Sequence, residues 1–223
     1  MLLLARHMHG ASVETSDGKI GKLCDLLFDE QDWSIRYLVL DGGTWLNRRR
    51  VTLPPDLVRR RDWADHRLSV AGLTRRQVME SPNVETHVPL GQPTNEEEAT
   101  IVNWEIYWIH TMDHPWQVSD DPHVRSTQET TEYYIQGSDG PLGHVADFLI
   151  DDEAWTIRYL ALDTRNWWPG KRVLVAPSQI ETIDGHNRTL HLGLSRDSIE
   201  HSPEYKVSMS QEEPHEMTTG CSL

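Results

Sequence analysis

Cysteine is nearly absent from this chain. Its 223 residues hold only Cys24 and Cys221, which excludes a disulfide framework and fits a reducing, cytoplasmic setting. Phenylalanine is as scarce, with two residues. No run of 18 apolar residues occurs, so no membrane span is expected. Met1-Leu2-Leu3-Leu4 gives way at once to Arg6 and His7, which is too short for a signal peptide. Nucleophile elbow, phosphate loop, Cys-x-x-Cys and His-Glu-x-x-His are all missing. No enzyme activity and no cofactor are expected.

What the chain has instead is tryptophan, with nine residues, and acid, with 35 Asp and Glu against 21 Lys and Arg. The net charge of −14 is uneven: residues 1–82 carry +2 and residues 83–223 carry −16. A polyanion is therefore disfavoured as a partner of the second half. The first half keeps a basic cluster of Arg48, Arg49, Arg50, Arg59, Arg60 and Arg61.

The chain also repeats itself. Residues 17–58 align with 139–180 at a constant offset of 122, with 17 of 42 positions identical. The match resumes, after a one-residue slip, as Leu73-Thr74-Arg75 against Leu194-Ser195-Arg196. A duplication of this kind sets the architecture before propensity is consulted. Two units of roughly 80 residues are expected, each marginal alone.

Each copy reads as a β-meander. In copy one, strands are expected over 22–28, 33–41, 50–53 and 67–70, with polar turns between. Thr74-Arg75-Arg76-Gln77 is a capping box opening a short helix that Ser81-Pro82 ends. Copy two gives strands over 141–150, 155–163, 172–175 and 190–192, and a closing helix over 195–201. The reading is mainly β: a tandem repeat of two small β-barrels joined by a segment holding one α-helix, with a short helix ending each repeat. The expected boundaries are 8–83 for repeat one, 84–124 for a linker with a helix at about 95–110, 125–207 for repeat two, and 208–223 for a disordered tail. Thr94 and Glu97 cap the linker helix, and its apolar positions cover more than a narrow stripe, so it should be docked.

The run Gly18-Lys19-Ile20-Gly21, Asp25, Phe28-Asp29 and Trp33 to Asp41 resembles the PRC-barrel family. So does Asp139-Gly140, Gly143 to Phe148 and Trp155 to Leu160, continuing through Asn166 to Val175 and Ser202-Pro203-Glu204-Tyr205. The whole chain is similar to bacterial double-PRC-barrel proteins, over roughly residues 8–206. His123-Val124-Arg125-Ser126 leads into copy two. The resemblance implies a small β-barrel related in fold to the cytoplasmic part of the photosynthetic reaction-centre H subunit, used for docking and scaffolding rather than catalysis. One family branch is a ribosome-maturation factor.

Three sets of residues are candidates for function. The matched pairs Asp25/Asp147, Arg36/Arg158 and Asp41/Asp163 read as structure: an Arg satisfied by a nearby carboxylate, and Asp at turns. Trp104, Trp108, Trp116 and Trp168 have no counterpart in the other copy and are candidate interface residues. The Arg48–Arg61 cluster is the third set, and Asn47-Arg48-Arg49-Arg50 replaces the Pro169-Gly170-Lys171-Arg172 of copy two. His110 and His114 have i,i+4 spacing, but Asp113-His114-Pro115 reads as a helix end, and His7-Met8-His9 lies near the terminus; no metal site is expected. The expected function is a scaffold or assembly protein working through protein contacts, as a homodimer. RNA binding at the Arg cluster, and docking on a membrane-bound photosynthetic or electron-transfer complex without insertion into the membrane, are the alternatives.

Overall fold

The computed structural model describes residues 1–47, 49–80, 123–164 and 172–202. The chain is mainly β, with two sheets of seven strands each, as expected for two tandem barrel-like domains. The first copy contains β2 (Ser12–Thr15), β3 (Gly18–Asp29), β4 (Ile35–Asp41), β5 (Arg50–Leu53), β6 (Val58–Asp62) and β7 (Arg67–Val70). Their order in the sheet is β5-β4-β3-β2-β7-β6. The second copy contains β9 (Tyr134–Gly137), β10 (Gly140–Asp151), β11 (Thr156–Asp163), β12 (Arg172–Val175), β13 (Ile180–Asp184) and β14 (Thr189–Leu192), in the equivalent order β12-β11-β10-β9-β14-β13.

The seventh strand of each sheet comes from outside this meander. β1 (Leu2–Leu4) pairs antiparallel with β10, as Leu2 with Asp151, Leu3 with Ile150 and Leu4 with Leu149. β8 (Val124–Ser126) pairs antiparallel with β3, as Leu27 with Ser126, Phe28 with Arg125 and Asp29 with Val124. The two pairings are in the same register at the offset of 122. Each copy therefore takes the leading strand of the other. The units divide accordingly: Met1–Ala5 belongs with the described residues from Thr127 onward, and the described residues of Arg6–Ser126 form the other unit. The sequence led Val124-Arg125-Ser126 into copy two; the structure pairs it with copy one.

The long strands explain why a seventh strand is needed. β2 covers only Gly18–Lys22 of one β3 edge, while β4 runs along the other edge from Lys22 to Phe28. Leu27–Asp29 would present an unpaired edge without β8. β10 has the same shape and the same need.

Alternation fills the two interiors. Leu26, Phe28, Leu38 and Leu40 are buried in one unit, and Phe148, Ile150, Leu160 and Leu162 in the other. Leu4, Leu149 and Ala161 form a further buried cluster with Leu174 packed against it. Gly21 and Gly143 sit against the carbonyls of Asp41 and Asp163, where a Cβ would approach to 2.6 and 2.0 Å. No other residue fits there.

Strand ends depart from the sequence reading at the tryptophans. Trp33 and Trp155 are buried but precede their strands, with φ of 62° and 49°. The tight turn after β3 places Trp33 to stack on Phe28, with ring centroids 5.3 Å apart. Left-handed backbone at a bulky residue is uncommon, and burial of the indole offsets its cost. β6 was hidden by its composition: Val-Arg-Arg-Arg-Asp reads as loop, yet it is the end strand of the sheet, where charges are tolerated.

Short helices close the hairpins. α1 (Ala5–Met8) follows β1, and α3 (Thr127–Thr130) follows β8. α2 (Arg75–Glu80) starts on the Thr74–Gln77 capping box: the Thr74 N–H donates to Gln77 Oε1 at 2.9 Å, and the Gln77 N–H to Thr74 Oγ1 at 3.3 Å. α4 (Arg196–Glu200) is capped by Ser195. Asp17 and Asp139, at the β2–β3 and β9–β10 turns, accept the first N–H of each helix, from Arg75 and Arg196, at 3.0 Å. That bond accounts for the Asp-Gly kept in both copies.

If β1 belongs to the second unit, Leu4→Ala should destabilise that unit by about 2–4 kcal/mol. Hydrogen exchange by mass spectrometry should show lost protection over β10 and β11 and none over β3 and β4.

Candidate functional site

The residues kept in both copies are spent on the fold. A β-bulge falls between Leu23 and Asp25 in β3, and the equivalent one between Val145 and Asp147 in β10. Each aspartate folds back on the disrupted ladder. Asp25 Oδ1 accepts the Leu26 N–H at 2.7 Å and Asp147 Oδ1 the Phe148 N–H at 2.8 Å. A bulge frees backbone groups and re-aims side chains, so a short acceptor is wanted there. Asp41 Oδ1 likewise accepts the Gly43 N–H at 2.7 Å at the end of β4, and Asp163 is buried.

Arg36 and Arg158 turn to the turn acids rather than to Asp25 or Asp147. Arg36 donates to Asp29 at 2.8 Å and Asp32 at 2.9 Å, and Arg158 donates to Asp151 at 3.0 Å. Both guanidiniums are about half exposed, so these pairs contribute little to stability. Partial burial raises the Asp29 carboxyl, but the hydrogen bond from Arg36 and two backbone N–H groups hold it below its ordinary value. The hydrogen bond from Arg158 does the same for Asp151.

The described arginines of the cluster lie on different elements. Arg48 lies outside the described residues, as do Trp104, Trp108, Trp116 and Trp168. Arg49 donates to the Met79 carbonyl at the end of α2. Arg50 sits on β5, opposite Asp41. Arg59, Arg60 and Arg61 sit on β6, at the other end of the strand order. Arg59 and Arg60 are exposed, and Arg60 approaches Asp62 at 3.4 Å. β6 is thus the exposed cationic face.

Sequence reading missed a polar cluster around β8. Ser126 Oγ donates to Asp25 Oδ2 at 2.5 Å, and both residues are buried. His9, just after α1, feels the Asp25 charge, and its Nε2 is buried with no hydrogen-bond partner among the described residues. His9 is partly buried, and desolvation pushes its imidazole below the ordinary value. At the other end of β8, Glu30 accepts from Arg125 Nε at 2.8 Å and lies 3.2 Å from His123 Nδ1. Its own N–H donates to the His123 carbonyl at 2.9 Å. The offset places Thr131, Leu4, Leu3 and Asp152 where copy one has His9, Ser126, Arg125 and Glu30. In copy two, Asp152 takes the Met1 amine at 2.5 Å. The signal was present in the sequence as disagreement between the copies, not as a motif.

Fold and geometry agree with a comparison against family models, in which the match falls on residues 4–71. A PRC-barrel domain is found there. It spans β2 to β7, the whole meander of copy one, and it includes Gly21, Asp25, Asp29, Arg36 and Asp41. No curated protein matches the chain. Among the described residues, no group of three or more His, Cys, Asp or Glu could hold a metal ion. Nor is any helix there long and apolar enough to cross a membrane.

Arg36→Ala should move the Asp29 carboxyl up toward its ordinary value near 3.8. A depressed carboxyl stabilises the fold above its unfolded value, and that contribution is lost as pH falls through its folded value. The variant should therefore lose less stability than the parent between pH 4 and pH 2.5 in urea melts, with the Asp29 titration followed by carboxyl NMR.

Proposed function

We propose that this protein is a non-enzymatic, double PRC-barrel scaffold that works through protein contacts, as a homodimer. The PRC-barrel domain over residues 4–71 carries this reading, because that domain suggests a protein-interaction module. The chemistry of the described residues supports it. Carboxylates and arginines repeated in both copies serve bulges, turns and helix starts, so they leave no duplicated catalytic pair. Small closed barrels are filled by their own side chains, and Phe28, Leu26, Leu38 and Leu40 do this in the first unit. The second copy follows the first strand for strand, which favours a tandem of like modules over one module with an unrelated extension.

β6 gives a second reading some support. Its exposed Arg59 and Arg60 offer phosphate contacts, although an acidic chain as a whole repels a polyanion.

Two measurements separate these readings. Native mass spectrometry should give twice the 25.7 kDa chain mass, and in-cell crosslinking should join the protein to a reproducible protein partner. A monomer that crosslinks to no protein would overturn the proposal. A salt-sensitive mobility shift with RNA, abolished by Arg59→Ala with Arg60→Ala, would replace it with the RNA reading.

A further inference from the structure

We propose that His9, Asp25 and Ser126 form a proton-sensitive latch that holds β8 in the first unit and lets it go on mild acidification. Three segments far apart in sequence converge: the turn after α1, where Gly10 and Ala11 next to His9 bond the Leu23 backbone at 2.7 and 2.9 Å, the bulge of β3 between Leu23 and Asp25, and Ser126 at the end of β8. The aspartate is the hinge of the arrangement. One of its oxygens holds its own strand through the Leu26 N–H, and the other holds the incoming strand through Ser126. The histidine lies within the field of that carboxylate and keeps a buried nitrogen without a hydrogen-bond partner among the described residues.

A buried nitrogen of this kind lacks the hydrogen bond it would make in water. In the closed state burial outweighs the attraction of Asp25 and lowers the affinity of the imidazole for a proton. A state in which β8 has left and the histidine reaches water binds the proton at the ordinary value of about 6.5. As pH falls through that value the open state takes up a proton more readily than the closed state, so opening becomes easier. The loss of β8 also bares the Leu27–Asp29 edge of β3, an edge able to accept another strand.

Other charged groups near the latch act differently. Cys24, on the same strand, is buried. His66 Nε2 bonds the His7 carbonyl at 2.7 Å and is held there by backbone. At the far end of β8, Glu30 lies 3.2 Å from His123 Nδ1 and 2.8 Å from Arg125 Nε. Copy two has neither the histidine nor the serine, since Thr131 and Leu4 stand in their places. It serves as an internal control.

The test is amide exchange by NMR on the full chain, corrected for intrinsic rates, at pH 7.5 and 5.5. The Glu30 N–H, bonded to the His123 carbonyl at 2.9 Å, reports β8; the Asp152 N–H, bonded to the Met1 carbonyl at 3.0 Å, reports β1. The opening constant at Glu30 should rise about tenfold over this range, and that at Asp152 should stay constant. His9→Gln should abolish the rise, and Ser126→Ala should raise opening already at pH 7.5. An equal change at both amides, no change at Glu30 in the parent, or a rise that survives His9→Gln would each overturn the latch. The comparison within the parent protein decides the question even if a variant fails to fold.

Discussion

Everything in this structure depends on how two long strands, β3 and β10, satisfy their edges. Each is twelve residues long, and its own hairpin partner covers only the first part of one edge. The remaining backbone groups need an acceptor and a donor, because such groups are rarely left unpaired in a folded core. Three residues from the head of the other copy supply them. In this structure neither sheet is completed by its own repeat. Each unit of about 80 residues, with its marginal core, draws its seventh strand from the other copy.

The exchange also explains where the two copies differ. Both slots impose the same register, so backbone pairing alone does not choose between strands. The strands themselves differ in their side chains. In the first slot Ser126 and Arg125 bond Asp25 and Glu30, and in the second Leu4 packs with Leu149 and Ala161. Placing a leucine where Ser126 stands would take the hydroxyl donor from Asp25, a loss of roughly 1–3 kcal/mol. Charge and hydrogen bonding thus hold β8 in the first slot, while the duplicated residues maintain the bulges, turns and helix starts common to both.

Much of the fold was legible in the sequence. The gapless alignment predicted two like β-meanders, and β5, β7 and β12 fall at their expected bounds. The Thr74–Gln77 box and Ser195 mark the helix starts where they occur. The exchange was not legible, because in-repeat and exchanged pairings satisfy the same alignment equally. β6 escaped notice because three consecutive arginines carry no period-two signal. The turn before β4 escaped because an indole in left-handed backbone reads, in sequence, as a strand residue. Of the candidate site, the exposed arginines of β6 were legible from charge. His9 was not, because one histidine near a terminus gives no sign that its ring is buried beside a carboxylate.

The most direct test of the exchange is a set of nuclear Overhauser contacts across the short strands, recorded on the full chain in solution. Contacts are expected between Leu3 and Ile150 and between Arg125 and Phe28. Contacts between Leu3 and Phe28 and between Arg125 and Ile150 would mean that each repeat keeps its own leading strand, and would contradict the account.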